Sequence, residues 1–227
     1  MRTWLFDIDG TLINSGGAGE AAMRVAVSNC FATPVDTSRI QFAGRTDRSI
    51  LVDLFAEHQI EPSEQNVRRF CEAYFQHLPR SLTARQGEVL RGVRDWLARI
   101  AAQDHDLLGL LTGNFARGAE HKLKHFGLWE YFRFGGFGDQ HLHRNDVAKE
   151  AFIKAEHIAG RPLEPLRTWV IGDTPRDIEC ARAIGVRVIA VATGIYSRDE
   201  LAAYEPDLLL ADLSNVQVLQ ELLDAEP

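Results

Sequence analysis

The chain has 227 residues, 45% of them hydrophobic, with a formal net charge of -7 from 32 acidic and 25 basic side chains. That length and apolar content support one large domain, or a domain carrying a smaller insertion, and exclude a disordered chain. The acidic balance gives no support to a nucleic-acid or anionic-membrane partner, and no run of apolar residues is long enough to span a bilayer.

Near the start, Trp4-Leu5-Phe6 reads as a buried strand that ends in Asp7 and Asp9. Two carboxylates two residues apart share one side of a pleat. They must share a proton or find a cation, although Asp-Gly is also a common turn. The apolar run after Arg2 is too short for a signal peptide, and a cytoplasmic location is expected. Cys30, Cys71 and Cys180 are odd in number, far apart and outside any Cys-x-x-Cys spacing. They fit a reducing compartment and argue against a disulfide framework or structural zinc.

The glycine-rich Asn14 to Gly19 lacks the Gly-Lys-Ser/Thr ending of a P-loop and reads as a flexible entry to a helix over Glu20 to Phe31. Further helices are expected from Asp47 to Glu57 and from Ser63 to Leu78, the second capped by Ser63 and stopped by Pro79. Residues 15–83 therefore form an expected helical unit inserted into a core made of 1–14 and 84–227. In that core, helices over Val89 to Ala101, Phe115 to Phe126, Asn145 to Ala159, Pro175 to Ile184 and Ser214 to Leu223 alternate with short apolar runs. The runs are Asp106 to Thr112, Phe132 to Gly136, Thr168 to Asp173, Val186 to Val191 and Asp207 to Leu210. Nearly continuous apolar strands between helices predict an α/β fold, a doubly wound parallel sheet covered on both faces.

Three strands end in polar clusters: Asp7 and Asp9; Thr112-Gly113-Asn114; and Gly172-Asp173-Thr174, followed by Asp177. The carboxyl ends of parallel strands lie along one edge, where ligands bind. Converging carboxylates, a hydroxyl and an amide make an all-oxygen set suited to Mg²⁺. Asp177 has a second reading, since Thr174-Pro175-Arg176-Asp177 is also a capping box. Asn114, equally, can cap the helix that follows it.

Asp7-Ile8-Asp9-Gly10-Thr11, Thr112-Gly113-Asn114 and Gly172-Asp173-Thr174-Pro175-Arg176-Asp177, in that order, resemble the motifs of the haloacid dehalogenase superfamily, in the phosphoglycolate phosphatase-like branch with a helical cap. The resemblance implies a Mg²⁺-dependent hydrolase of a small phosphomonoester. Asp7 would be the nucleophile, forming an aspartyl-phosphate, and Asp9 the general acid and base, its pKa raised by the neighbouring charge. Thr112, Gly113 and Asn114, with Gly10 and Thr11, would hold phosphoryl oxygens. Asp7, the Asp9 carbonyl, Asp173 and Asp177 would surround the metal.

Relatives usually carry a Lys-Pro before the last motif, and this chain has none. Arg144, ahead of a helix capped by Asn145, is the preferred substitute because its planar fork suits phosphate and carboxylate together; Lys149 is the alternative. His141 and His143 have the spacing of a metal pair without further ligands. Arg45, in Gly44-Arg45-Thr46-Asp47, could neutralise an anionic substrate group, while Thr46 or Asp47 could cap a helix. Ser15 to Gly19 would hinge the cap, whose closure excludes water. A phosphosugar mutase, a haloacid dehalogenase and a non-catalytic phosphate-binding module are the alternative functions; Asp9 and Asp173 argue against the dehalogenase. The expected assembly is a monomer or homodimer.

Overall fold

A computed structural model describes residues 1–224. Its strands are β1 (Thr3–Phe6), β2 (Ile13–Asn14), β3 (Glu88–Val89), β4 (Leu107–Leu111), β5 (Phe134–Gly136), β6 (Thr168–Gly172), β7 (Arg187–Val191) and β8 (Leu208–Leu210). Its helices are α1 (Ala18–Phe31), α2 (Asp47–Glu57), α3 (Glu64–Ala84), α4 (Val93–Ala101), α5 (Ala116–His125), α6 (Arg144–Ala159), α7 (Pro175–Ala183), α8 (Arg198–Ala202) and α9 (Val216–Asp224). No helix among the described residues is long and apolar enough to cross a membrane.

Among these strands six form one parallel sheet in the order β5-β4-β1-β6-β7-β8. This is the doubly wound α/β architecture that the apolar runs predict. Every residue of β1 is buried, because alternate side chains enter different layers. Trp4 and Phe6 pack with Trp96, Leu97, Leu123 and Leu219 from α4, α5 and α9, while Leu5 packs with Val147, Ile178 and Leu201 from α6, α7 and α8. Each fully buried Leu or Phe contributes about 1.5–3 kcal/mol by leaving water, so the central strand is firmly seated. The chain leaves β1 toward β4 on one side and comes back to β6 on the other. The carboxyl end of β1 is therefore a topological switch point, the place where such sheets bind ligands.

Helices α1, α2 and α3 gather a second hydrophobic cluster, with Met23, Leu51, Phe55, Phe70 and Leu78 among its buried residues and Phe115 joining it from the start of α5. The chain enters and leaves this helical stretch through β2 and β3, which pair antiparallel, Ile13 with Val89 and Asn14 with Glu88.

Several boundaries differ from expectation. Pro79 lies inside α3 and does not end it; Phe70, Tyr74, Leu78 and Leu82 make a continuous buried stripe, and that packing outweighs the lost N–H. Residues 88 and 89 are extended, and α4 starts only at Val93. There Gly92 takes φ 80° against the Leu213 carbonyl, where a Cβ would sit 1.9 Å from oxygen. The Gly-rich segment is shorter than expected, since α1 already begins at Ala18. Arg144 is the first residue of α6, with His143 in the cap position, so Asn145 is not the cap. Its side-chain oxygen instead faces the Cys180 thiol. The short helix α8, capped by Ser197, has no counterpart in the sequence reading.

Candidate active site

Asp7, Asp173 and Asp177 converge at the carboxyl ends of β1 and β6. All three are buried, and one oxygen of each lies within 4.8 Å of the others. Gly10 permits this crowding: it adopts φ 81°, and a Cβ there would stand 2.4 Å from an Asp173 oxygen. The Thr11 hydroxyl donates to Asp173 at 3.0 Å. Arg144 enters from the first turn of α6 and gives Nη2 to Asp7 at 2.8 Å and to Asp177 at 2.6 Å.

A single guanidinium thus faces three carboxylates, and the charge does not balance. Burial, with the neighbouring Asp177 and Asp9, pushes Asp7 up to about 6 despite Arg144. Burial and the charges of Asp177 and Asp7 push Asp173 well above the usual range. Arg144 is held protonated, because Asp177 and Asp7 outweigh the effect of its burial. An all-oxygen set with excess negative charge fits a hard divalent cation. Asp177 spends both oxygens within the protein: Oδ1 takes Arg144, and Oδ2 accepts from the Thr174 N–H and hydroxyl. The capping-box reading of Asp177 is present in the structure, beside its place in the acidic cluster.

Asp9 contradicts one electrostatic expectation. Burial favours its neutral form, but the Lys122 charge and hydrogen bonds from Lys122, Asn114 and Ser15 hold its carboxyl below the ordinary value. Lys122 Nζ reaches Asp9 Oδ2 at 2.5 Å and Asn114 Oδ1 at 2.6 Å, and Asn114 Nδ2 donates to the same Asp9 oxygen at 2.9 Å. The cation beside Asp9 counts for more than the anion at Asp7, so Asp7 is the residue with the raised pKa.

The remaining predicted residues divide. Gly10, Gly113, Asn114 and Arg45 line one cavity of about 630 Å³ together with Asp7, Asp9, Arg144 and Asp173. Thr112 is fully buried, its hydroxyl accepting from the Asn114 backbone and side-chain N–H groups. Thr11 faces Asp173. Asn114 caps no helix, since Phe115 occupies the cap position of α5. Lys149 pairs with exposed Asp146 at 2.9 Å, away from the cluster, and His141 pairs with Glu150 at 2.8 Å. Arg45 spends its guanidinium on Asp53 at 2.5 Å and the Gln41 carbonyl. Thr46 caps α2 by accepting from the Ser49 N–H. Asp47, buried and pushed up to about 6 by burial in spite of Lys122, accepts from the Phe115 N–H at 2.8 Å and thereby ties α2 to the start of α5.

Lys122 and Tyr74 were missed from sequence. Lys122 sits with Gly118, Ala119 and Leu123 on the buried face of α5. A lysine at a position that helical periodicity assigns to the core was the available signal.

The haloacid dehalogenase-like hydrolase family model matches residues 4–191. A phosphoglycolate phosphatase of Synechococcus elongatus is 27% identical over 230 residues, covering 98% of this chain and 99% of that one. Another from Chromobacterium violaceum is 28% identical over 209 residues, covering 89% and 90%. The crystal structure of CbbY from Rhodobacter sphaeroides in complex with phosphate has the same fold, with a TM-score of 0.74 at 19% identity, covering 95% of this chain and 96% of that one. With the family model spanning three of the strand-end clusters and the fold shared end to end, the chain belongs to the haloacid dehalogenase-like hydrolases.

Proposed function

We propose that the chain is a Mg²⁺-dependent phosphomonoesterase that works through an aspartyl-phosphate on Asp7, with residues 15–83 as a cap over the site. The observation that carries this reading is the Asp7 carboxylate in the cavity, held by Arg144 and crowded by Asp173 and Asp177. The relatives named phosphoglycolate phosphatase support the reaction class.

Asp7, Asp173 and the Asp9 carbonyl would hold the metal, which when bound offsets the excess negative charge of the cluster and that of the transferring phosphoryl group. Asp177 anchors Arg144. Arg144 restrains the Asp7 carboxylate so that one oxygen can attack phosphorus in line, and its charge stabilises the equatorial oxygens. The P–O bond to the leaving group breaks as the Asp7–phosphorus bond forms. Asp9 then acts on protons. The substrate anion raises its carboxyl again, so it can protonate the departing oxygen, and with that proton gone it takes one from the water that hydrolyses the intermediate. Lys122, Asn114 and Ser15 hold Asp9 in place for both steps.

Phosphate release from a panel of phosphorylated metabolites, with Mg²⁺ or with a chelator, tests the reading. Metal-dependent release is expected. Equal release in both conditions removes the metal from the mechanism, and no release from any phosphate removes the phosphatase.

A further inference from the structure

The Tyr74 hydroxyl is buried without a hydrogen-bond partner, and its residue lines the same cavity as Asp7 and Asp9. A buried donor left unpaired needs an explanation. The ring is fixed in place: it stacks on Phe70 at 5.9 Å and meets Phe115 edge-on at 6.2 Å. Lys122 gives one N–H to Asp9 and one to Asn114, and an ammonium has a third. Both groups face one small space, the place a side chain on Gly19 would occupy. A Cβ there would lie 3.4 Å from Lys122 Nζ and 3.9 Å from the Tyr74 hydroxyl oxygen. Gly19 belongs to the first turn of α1, whose cap residue Gly17 supplies no side-chain acceptor.

Resting on the phosphatase reading, we propose that this niche is the specificity site for the leaving group, and that Tyr74 and Lys122 donate hydrogen bonds there to an oxygen acceptor carried by the substrate beyond its ester oxygen. Asp9 and Asp47 offset the Lys122 charge. The niche therefore selects a hydrogen-bond acceptor, whether charged or neutral. Lys122 also contacts Asp9, which places the acceptor within reach of a short leaving group. A site built around a buried donor discriminates strongly against an analogue that leaves the donor unpaired.

The test compares kcat/KM for three phosphates with two-carbon leaving groups: 2-phosphoglycolate, 2-hydroxyethyl phosphate and ethyl phosphate. The wild type is expected to favour at least one of the oxygen-bearing pair over ethyl phosphate by about tenfold or more; which one identifies the acceptor as carboxylate or hydroxyl. Tyr74→Phe keeps the packed ring and should lower that ratio about tenfold. Gly19→Ala is a second probe, because its methyl fits at ordinary contact distance and fills the niche; it should lower the same ratio. A wild type without preference, or variants that slow all three phosphates in proportion, overturns the proposal. If the wild type cleaves none of them, the metabolite panel alone decides the phosphatase reading, and the niche is read by thermal shift with 2-phosphoglycolate, 2-hydroxyethyl phosphate and ethyl phosphate in Mg²⁺. A larger shift with an oxygen-bearing ligand that Tyr74→Phe abolishes supports the niche; equal shifts overturn it.

Discussion

The acidic edge of the sheet and the wall of helices above it are built on different electrostatic plans. At the edge, carboxylates outnumber cations and the surplus negative charge fits a divalent cation. In the wall, Lys122, Asp47 and Tyr74 nearly balance, and what remains unmet is a hydrogen bond. The first plan suits a reaction centre and the second suits recognition. Changes at the edge should therefore stop chemistry, whereas changes in the wall should alter the choice of substrate or the placing of Asp9.

The largest effect is expected from Asp7→Asn, which removes the attacking oxygen and should lower phosphate release by about 10⁴-fold or more. Circular dichroism should show the fold unchanged, since an uncharged amide relieves the crowding with Asp173 and Asp177. Residual turnover near the wild-type rate would end the nucleophile assignment.

Arg144→Met comes next. It leaves two buried carboxylates without their cation, so a stability loss of about 3 kcal/mol is expected, with kcat reduced about 10²–10³-fold. Lys149→Met, on the exposed Asp146 pair, should leave kcat within about twofold. Steady-state kinetics on the two variants settle which residue replaces the missing family lysine, and the reverse pattern would restore Lys149.

Much of the edge was legible in the sequence, and the reason is geometric. Asp7 and Asp173 directly follow apolar strands, Asp9 lies two residues further on and Asp177 in the first turn of the next helix, so the parallel topology brings them to one edge before any coordinates are seen. The wall was mostly illegible. Tyr74 falls on the same stripe as Phe70 and Leu78 and reads as core, which it also is. Lys122 is separated from Asp9 by 113 residues, and only tertiary packing makes it the partner that reverses the expected order of the Asp7 and Asp9 pKa values. Pro79 failed as a stop signal for a related reason, since a local rule gave way to a buried stripe.

Lys122→Met probes the contact between the two regions. Without the ammonium, Asp9 loses its chief stabilising charge and its carboxyl should rise toward or above the ordinary range. The acid limb of the kcat profile should move to higher pH, and kcat at neutral pH should drop about 10–10²-fold. A uniform loss at every pH would mean that Lys122 only supports the fold.

The smallest effect separates the edge from the rest by stability alone. Asp7 and Asp47 are raised to about 6 in the folded chain, and Asp173 is raised as well. Groups raised above their unfolded values contribute stability that is complete below about 4 and is lost as pH rises through their folded values. Metal-free protein should therefore lose about 2 kcal/mol for each of Asp7 and Asp47 between about pH 4.5 and 7, with Asp173 adding to the loss. Asp9, with its lowered carboxyl, acts in the opposite sense but in a window below its unfolded value. Mg²⁺ should flatten the slope from Asp7 and Asp173, because a bound cation removes the repulsion that raises them, and should leave the Asp47 part, which sits in the wall. Thermal melts across this range, with a chelator and with Mg²⁺, measure both parts. Asp47→Asn should remove the slope that survives in Mg²⁺, and a slope that Mg²⁺ leaves intact in that variant would show that the edge does not carry the metal.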